Sequence, residues 1–325
     1  MRRLLHMALL LVAALSVACS PHEFPGGGSG AQEQDFSLKI LFDEELPIQQ
    51  QIVPTKEDGI ADDVAQPRYT LWMWRYENDI AFGVDPDYCY TFTRSALDDL
   101  ETTLYLPILP AKYRMAVWVD WTGGDAGTGY DLSDPEHIVF PPEFPIGERA
   151  RDAFTLVTDY DVKGYLIAGE TYQKTVTLHR PVAQLRIVAP EALTFLALAG
   201  LDPTQMRATL RYPDPIPDGY DILLGTTNGS RSDVVLTGTP RYDISGELVF
   251  ISDFIFFPDA AGSIPVEFTL TDLSGKELIV YSGNIPLRGS HKTTVAFDMP
   301  YGGADKPGGI GISPGFDDEI EITID

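Results

Sequence analysis

The chain has little of what metal centres, disulfide frameworks and nucleic-acid surfaces are made from. Only two of its 325 residues are cysteine, Cys19 and Cys89, and only five are histidine. His6, His22, His137, His179 and His291 stand far apart, and none has the i, i+4 spacing or the cysteine neighbours that a zinc site takes. Basic residues are scarce: 23 Lys+Arg against 48 Asp+Glu give a formal charge of −25. Nucleic acid demands a basic footprint, so it is excluded as a partner. There is no G-x-S-x-G elbow, phosphate-cradling loop or dinucleotide fingerprint, and the glycines at 26–28 and 30 precede no strand–helix unit that would use them. Ser290 and His291 are sequence neighbours, whose side chains point apart in a strand or turn, so they read as turn residues rather than as nucleophile and base. Carboxylate pairs abound only because the chain is acidic, and no spacing singles out the two that a glycosidase sets across a cleft. No enzyme, cofactor or metal site is expected. Two acidic loops, Asp58 with Asp62 and Asp63, and Asp125 with Asp131 and Asp134, offer oxygen ligands for calcium, but neither follows the EF-hand order and a solvated loop is the simpler reading.

What is present begins with a signal for export. Arg2 and Arg3 precede an apolar run from Leu4 to Leu15, and Ser16-Val17-Ala18 lead into Cys19. The run has signal-peptide length and is too short to span a bilayer as a helix. Leu15-Ser16-Val17-Ala18-Cys19 resembles a bacterial lipoprotein cleavage box, with its leucine one place further upstream than the commonest form. Residues 1–18 are therefore expected to leave as a signal peptide, with Cys19 acylated as the membrane anchor. The plainer alternative is an ordinary secretory cut near Ala18. Residues 19–34, with Pro21, Pro25 and the glycine run, read as a flexible tether. With Cys19 acylated no intrachain disulfide remains to be formed, and Cys89, inside the strand-like Asp87-Tyr88-Cys89-Tyr90-Thr91-Phe92, reads as a small buried hydrophobe.

Helix-period stretches are few and period-two alternation dominates, so the fold class is all-β. Strands are expected at 36–40, 69–76, 112–121, 153–158 and 172–178, then at 182–188, 207–212, 247–257, 266–271, 277–284, 293–297 and 319–324. Gly123-Gly124, Asn228-Gly229, Ser274-Gly275 and Arg288-Gly289 mark turns, with Ser274-Gly275 the clearest hairpin. Short helices are expected at 94–100 and 191–198. His179-Arg180-Pro181 separates two strand patterns almost without a loop, which divides the chain into a sandwich over 35–179 and a second over 180–325 that ends in a tail strand. No fixed-period repeat is visible. Trp72, Trp74 and Tyr76 alternate along one strand. On an exposed face they would form a glycan platform, but Leu71 and Met73 make the other face apolar too, which favours burial between layers.

Several segments together resemble one family. Beside the box at Cys19 they are Tyr69-Thr70-Leu71-Trp72, Tyr113-Arg114-Met115-Ala116-Val117-Trp118-Val119-Asp120, Arg180-Pro181-Val182-Ala183-Gln184-Leu185-Arg186-Ile187, and the stretch from Ile285 to Val295. The chain resembles the minor fimbrial anchor, or fimbrillin-like, lipoproteins of Bacteroidales. That resemblance implies two tandem transthyretin-like antiparallel β-sandwich domains, a lipid anchor at the outer membrane on the surface side, and fimbrial subunits as partners joined by β-strand exchange. Ser20-Pro21-His22-Glu23 departs from the acidic run that accompanies surface export in these bacteria. In strand exchange, main-chain hydrogen bonds supply affinity and alternate side chains supply register. Ile320, Ile322 and Ile324, alternating in the tail, are the candidate residues, against the alternative that the tail folds back on its own domain. A surface lipoprotein that binds glycans or peptides for nutrient uptake is the second functional reading.

Overall fold

The computed structural model describes residues 34–42, 66–77, 80–81, 85–93, 101–123, 129–140, 151–163, 172–189, 196, 202–243, 246–257 and 261–297. The lipidation candidate Cys19, the tether, the expected helix at 94–100 and the tail residues Ile320, Ile322 and Ile324 lie outside the described residues. So do Asp58, Asp62, Asp63 and Asp125, and all but Leu196 of the expected helix at 191–198.

The first half of the chain supplies β1 (Gln34–Phe42), β2 (Gln66–Glu77), β3 (Ile80–Ala81), β4 (Tyr88–Thr93), β5 (Glu101–Ile108), β6 (Lys112–Thr122), β7 (Ile138–Val139), β8 (Phe154–Asp161) and β9 (Gln173–Leu178). The second supplies β10 (Val182–Ala189), β11 (Met206–Tyr212), β12 (Gly219–Asp221), β13 (Thr226–Asn228), β14 (Val234–Gly238), β15 (Arg241–Tyr242), β16 (Leu248–Phe256), β17 (Gly262–Asp272), β18 (Glu277–Leu287) and β19 (Lys292–Ala296). A 3-10 turn, Pro203–Gln205, opens β11 and is capped by Asp202, whose carboxylate accepts from Thr204 N at 2.8 Å.

Alternation sorts each strand's side chains. Phe36, Leu38 and Ile40 of β1 and Leu104, Leu106 and Ile108 of β5 face Leu71, Met73, Met115 and Val117 of β2 and β6 in one dry core. Met206, Ala208, Leu210 and Tyr212 of β11 face Leu185, Ile187 and Ile251 in another. The chain is thus two β-sandwiches. The first packs a sheet ordered β5-β1-β9 on one ordered β3-β2-β6-β8, with β4 also paired to β2. The second packs β15-β16-β10-β19 on β14-β11-β17-β18.

The two sandwiches share one wiring diagram. In each, the first strand (β1 or β10) pairs antiparallel with one neighbour (β5 or β16) and parallel with the last strand (β9 or β19). In the opposing sheets β4-β2-β6-β8 matches β14-β11-β17-β18. The sheets are antiparallel apart from this one parallel pair in each sandwich. The likeness lies in strand order and direction, which a search for a fixed residue period does not detect.

Strand expectations at 36–40, 69–76, 112–121, 153–158, 172–178, 182–188, 207–212, 247–257, 266–271, 277–284 and 293–297 all meet observed strands. Alternation does not reveal β5, where Pro107 interrupts it, or the short strands β3, β7 and β12 to β15. The hairpin at Ser274-Gly275 joins β17 to β18. Asp272 holds it by accepting from Ser274 N at 2.8 Å, Ser274 Oγ at 2.6 Å and Lys276 N at 3.0 Å, while Gly275 adopts φ +85°. Those donors keep the Asp272 carboxyl below the usual range.

Phe268 is fully buried in the second core between Phe250 and Phe297, stacked at ring distances of 5.9 and 5.6 Å. Phe268→Ala is expected to cost about 3–5 kcal/mol in urea unfolding, the range for buried aromatic truncation. A loss under about 1 kcal/mol would contradict this core placement.

Candidate functional site

The aromatic strand expected to offer either a platform or a core element lies inside the molecule. Trp72 and Trp74 are each 1 % exposed and join one buried cluster with Ala116 and Trp118 of β6. The cluster also takes Val182 of β10, Phe254 and Phe256 of β16, and Tyr220 and Ile222 beyond the first sandwich. The outer face of the β2-β6 sheet is therefore the seam between the sandwiches, and no sugar ring can stack on Trp72 or Trp74. Tyr76, further along β2, is half-buried, and its hydroxyl donates to Asp159 at 2.7 Å while the Lys112 ammonium sits 4.3 Å from its ring centre. The three residues do not form an open row.

A third small sheet crosses the seam. β7, from the first half of the chain, pairs antiparallel with β12, which pairs with β13. Gly219 of β12 sits where an added Cβ would come within 2.5 Å of Asn228 Oδ1 and 2.8 Å of His137 Cε1, so a side chain there would displace the Asn228–His137 contact. His137 Nδ1 and Asn228 Oδ1 lie 2.9 Å apart, and Asn228 Nδ2 donates to the Glu136 carbonyl at 2.6 Å.

Most polar groups described at the seam are paired with each other, the buried Trp118 indole N–H being an exception. Asp120, at 0 % exposure, accepts from Arg68 Nε at 2.8 Å, from the Arg68 terminal nitrogen and from Tyr130 N at 2.9 Å. This holds the Tyr130 ring 5.2 Å from Trp118 and 5.8 Å from Phe256. Gly129, at φ +71°, is needed beside it, since a Cβ would meet Trp121 O at 2.8 Å. Arg151 reaches from the first half of the chain to Asp253 of β16 at 2.7 Å, and Tyr212 of β11 donates to the other Asp253 oxygen at 3.1 Å. Tyr130 Oη donates to the Arg151 carbonyl at 2.5 Å. Arg180, in the junction, grips Asp152 through two bonds of 2.7 and 2.9 Å and lies over the Phe154 ring. Ser290, at φ +61°, ties the β18–β19 turn to the junction by donating to the Arg180 carbonyl at 2.5 Å. Ser290 is thus spent on structure, and His291 Nδ1 lies 2.7 Å from the Gly289 carbonyl.

Burial pushes the Asp253 and Asp120 carboxyls up despite their guanidinium partners, and it pushes the Tyr130 and Tyr212 hydroxyls well up. None of these groups faces an open cleft. A recess of about 70 Å³ at the junction, lined by Arg180, Pro181, Tyr220 and Thr227, is small against the roughly 300–1,000 Å³ of ligand pockets. Among the described residues no group of three His, Cys, Asp or Glu is placed to hold a metal. Asp131 and Asp134, from one calcium candidate, accept instead from Ser133 N at 3.0 Å and Glu136 N at 2.9 Å. Cys89 is half-buried and packs beside the seam.

Strand edges differ in how they are guarded. On β8, Thr155 exchanges bonds of 2.7 and 3.0 Å with His179, and the Lys174 ammonium caps the Asp159 carbonyl. On β5, Tyr90 Oη donates to the Pro107 carbonyl at 2.7 Å. These are the usual means of blunting an edge.

A family model described as "Family of unknown function (DUF6562)" matches residues 32–325. No curated protein matches the chain. Among solved structures, the tip fimbrial protein Mfa3 of Porphyromonas gingivalis, with a C-terminal truncation, aligns at a TM-score of 0.44 and 9% identity, over 85% of this chain and 97% of that one. A fimbrial assembly protein of Parabacteroides distasonis aligns at 0.39 and 12% identity, over 84% and 94%. Likenesses at this level fix neither a shared function nor a shared partner.

Asp253 gives the seam a pH signature. Its raised pKa means the folded state binds a proton more readily than the unfolded chain above the ordinary aspartate value. The stability of the wild type minus that of Asp253→Asn is expected to grow as pH falls from 7 toward that value, read from parallel urea titrations. A difference that shrinks on acidification would mean that Arg151 outweighs desolvation.

Proposed function

The chain belongs to the DUF6562 family, and from that premise we propose that it is a non-catalytic surface protein, lipid-anchored at the outer membrane, that serves as an anchor or assembly subunit of a fimbria. The observation that carries this reading is the dry seam. The aromatic face that would have served a glycan is consumed in joining two sandwiches, and the buried ionisable groups are consumed in holding it. Among the described residues, strand edges rather than a cleft are left for contact with other molecules, which suits recognition by strand addition. The tail supplies a strand of the right pattern, with Ile320, Ile322 and Ile324 at alternate positions.

Acylation at Cys19 adds the mass of an acyl-bearing glycerol to a chain that begins at that residue, and the lipid-anchored reading requires that mass in the membrane fraction.

Crosslinking and co-purification of the membrane-extracted full chain, with Ile322→Asp beside it, tests the assembly role. A fibre subunit is expected with wild type and is expected to be lost from the variant. Equal recovery from both would remove the tail as the joint, and recovery of no protein partner would overturn the fimbrial reading in favour of soluble ligands.

A further inference from the structure

The longest strand edge in the described residues carries none of the guards seen on β8. β18 is the outermost strand of its sheet, and its register with β17 runs without a shift from Ile279 to Leu287. Pro286 fixes which backbone groups face outward. Its carbonyl accepts from Thr293 Oγ1 at 2.8 Å, on the side away from β17, and its nitrogen has no proton to give. Alternation then turns the N–H and C=O groups of Val280, Ser282 and Asn284 outward as well. All three residues are exposed, with Val280 at 63 %, and no lysine caps them. From Ile279 to Asn284 the edge has no charged residue and no register shift, and such an edge is a template for another strand.

We propose that this edge pairs with the same edge of a second copy, in an antiparallel two-fold seam centred on Ser282. The rule for such a contact is self-complementarity, residue i facing j and j facing i. Centring on Ser282 sets Val280 of each copy opposite Asn284 of the other and satisfies all three outward residues on both strands. Charge favours this occupant. The strand's one acid, Glu277, falls at the end where Arg288 of the second copy begins, and no like charges face each other from 279 to 285. The chain's own tail is a poorer fit, because Glu319, Glu321 and Asp325 would add carboxylates beside Glu277 on the outer face of the sheet, where Glu267 already takes Arg211. Each chain carries −25, so the pairing strengthens as salt screens the whole-molecule repulsion. This contact goes beyond the fimbrial reading and does not depend on it.

Residues directly opposite in a hydrogen-bonded antiparallel pair have Cα atoms about 5.5 Å apart, within disulfide reach. The detergent-extracted full chain carrying Ser282→Cys is therefore expected to form a covalent dimer under mild oxidant. Thr209→Cys, in the middle of the same sheet, and wild type are expected to stay largely uncrosslinked. Sedimentation of the chain without an added cysteine is expected to show a monomer–dimer equilibrium that tightens with salt. Ser282→Pro and Val280→Lys are each expected to weaken it tenfold or more with an unchanged far-ultraviolet spectrum. A monomer at every concentration and salt, crosslinking at Thr209→Cys equal to that at Ser282→Cys, or a dimer indifferent to both edge variants would overturn the proposal. So would saturation of the edge by a foreign strand that excludes the second copy.

Discussion

Everything else in the molecule depends on the contact of Trp118 with Phe256 and the rings around them. Trp118 stands on the outer face of a sheet whose inner face is already a complete core. Phe256 stands likewise on β16, and their ring centres are 6.5 Å apart with Tyr130 and Tyr220 packed on both. A sandwich normally leaves its outer faces to water. Here two outer faces are apolar, and each exists in solution only because the other covers it. The sandwiches are therefore bound by the same force that folds them.

The ion pairs around this contact have a different role. A buried charge pair gives little net stability, but removing one member leaves the other stranded at a cost of several kcal/mol. Arg151 with Asp253, and Arg180 with Asp152, bridge segments 102 and 28 residues apart. They penalise any other way of docking two greasy faces. Hydrophobic area makes the seam strong, and the charges make it unique. Gly129 sets how closely its loop can approach β6, since a side chain there collides with the Trp121 carbonyl.

Much of this was legible in the residues. Period two named the strands, and the double apolar face of β2 marked it for burial on both sides. The same signal stands in β10 and β16, where every residue is buried. The segments that carry the family resemblance lie in β2, β6, β10, β18 and β19, so they report architecture rather than a binding site. The partner across the seam was not legible, because an apolar outer face does not say what covers it. The β7–β12 pairing joins positions about 80 residues apart through two-residue contacts that no periodicity reveals. The ion pairs likewise link distant residues whose types are ordinary one by one. Polar groups spent on holding a fold leave few chemical marks in a sequence, and the shared wiring of the two halves is written in topology rather than in repeated residues.

If the seam is the organising contact, the two sandwiches cannot unfold separately. Differential scanning calorimetry of the protein tests this directly. The account predicts one transition whose calorimetric and van't Hoff enthalpies agree, and its division into two when Trp118→Ala opens the seam. Two independent transitions in the wild-type protein, each indifferent to Trp118, would contradict it.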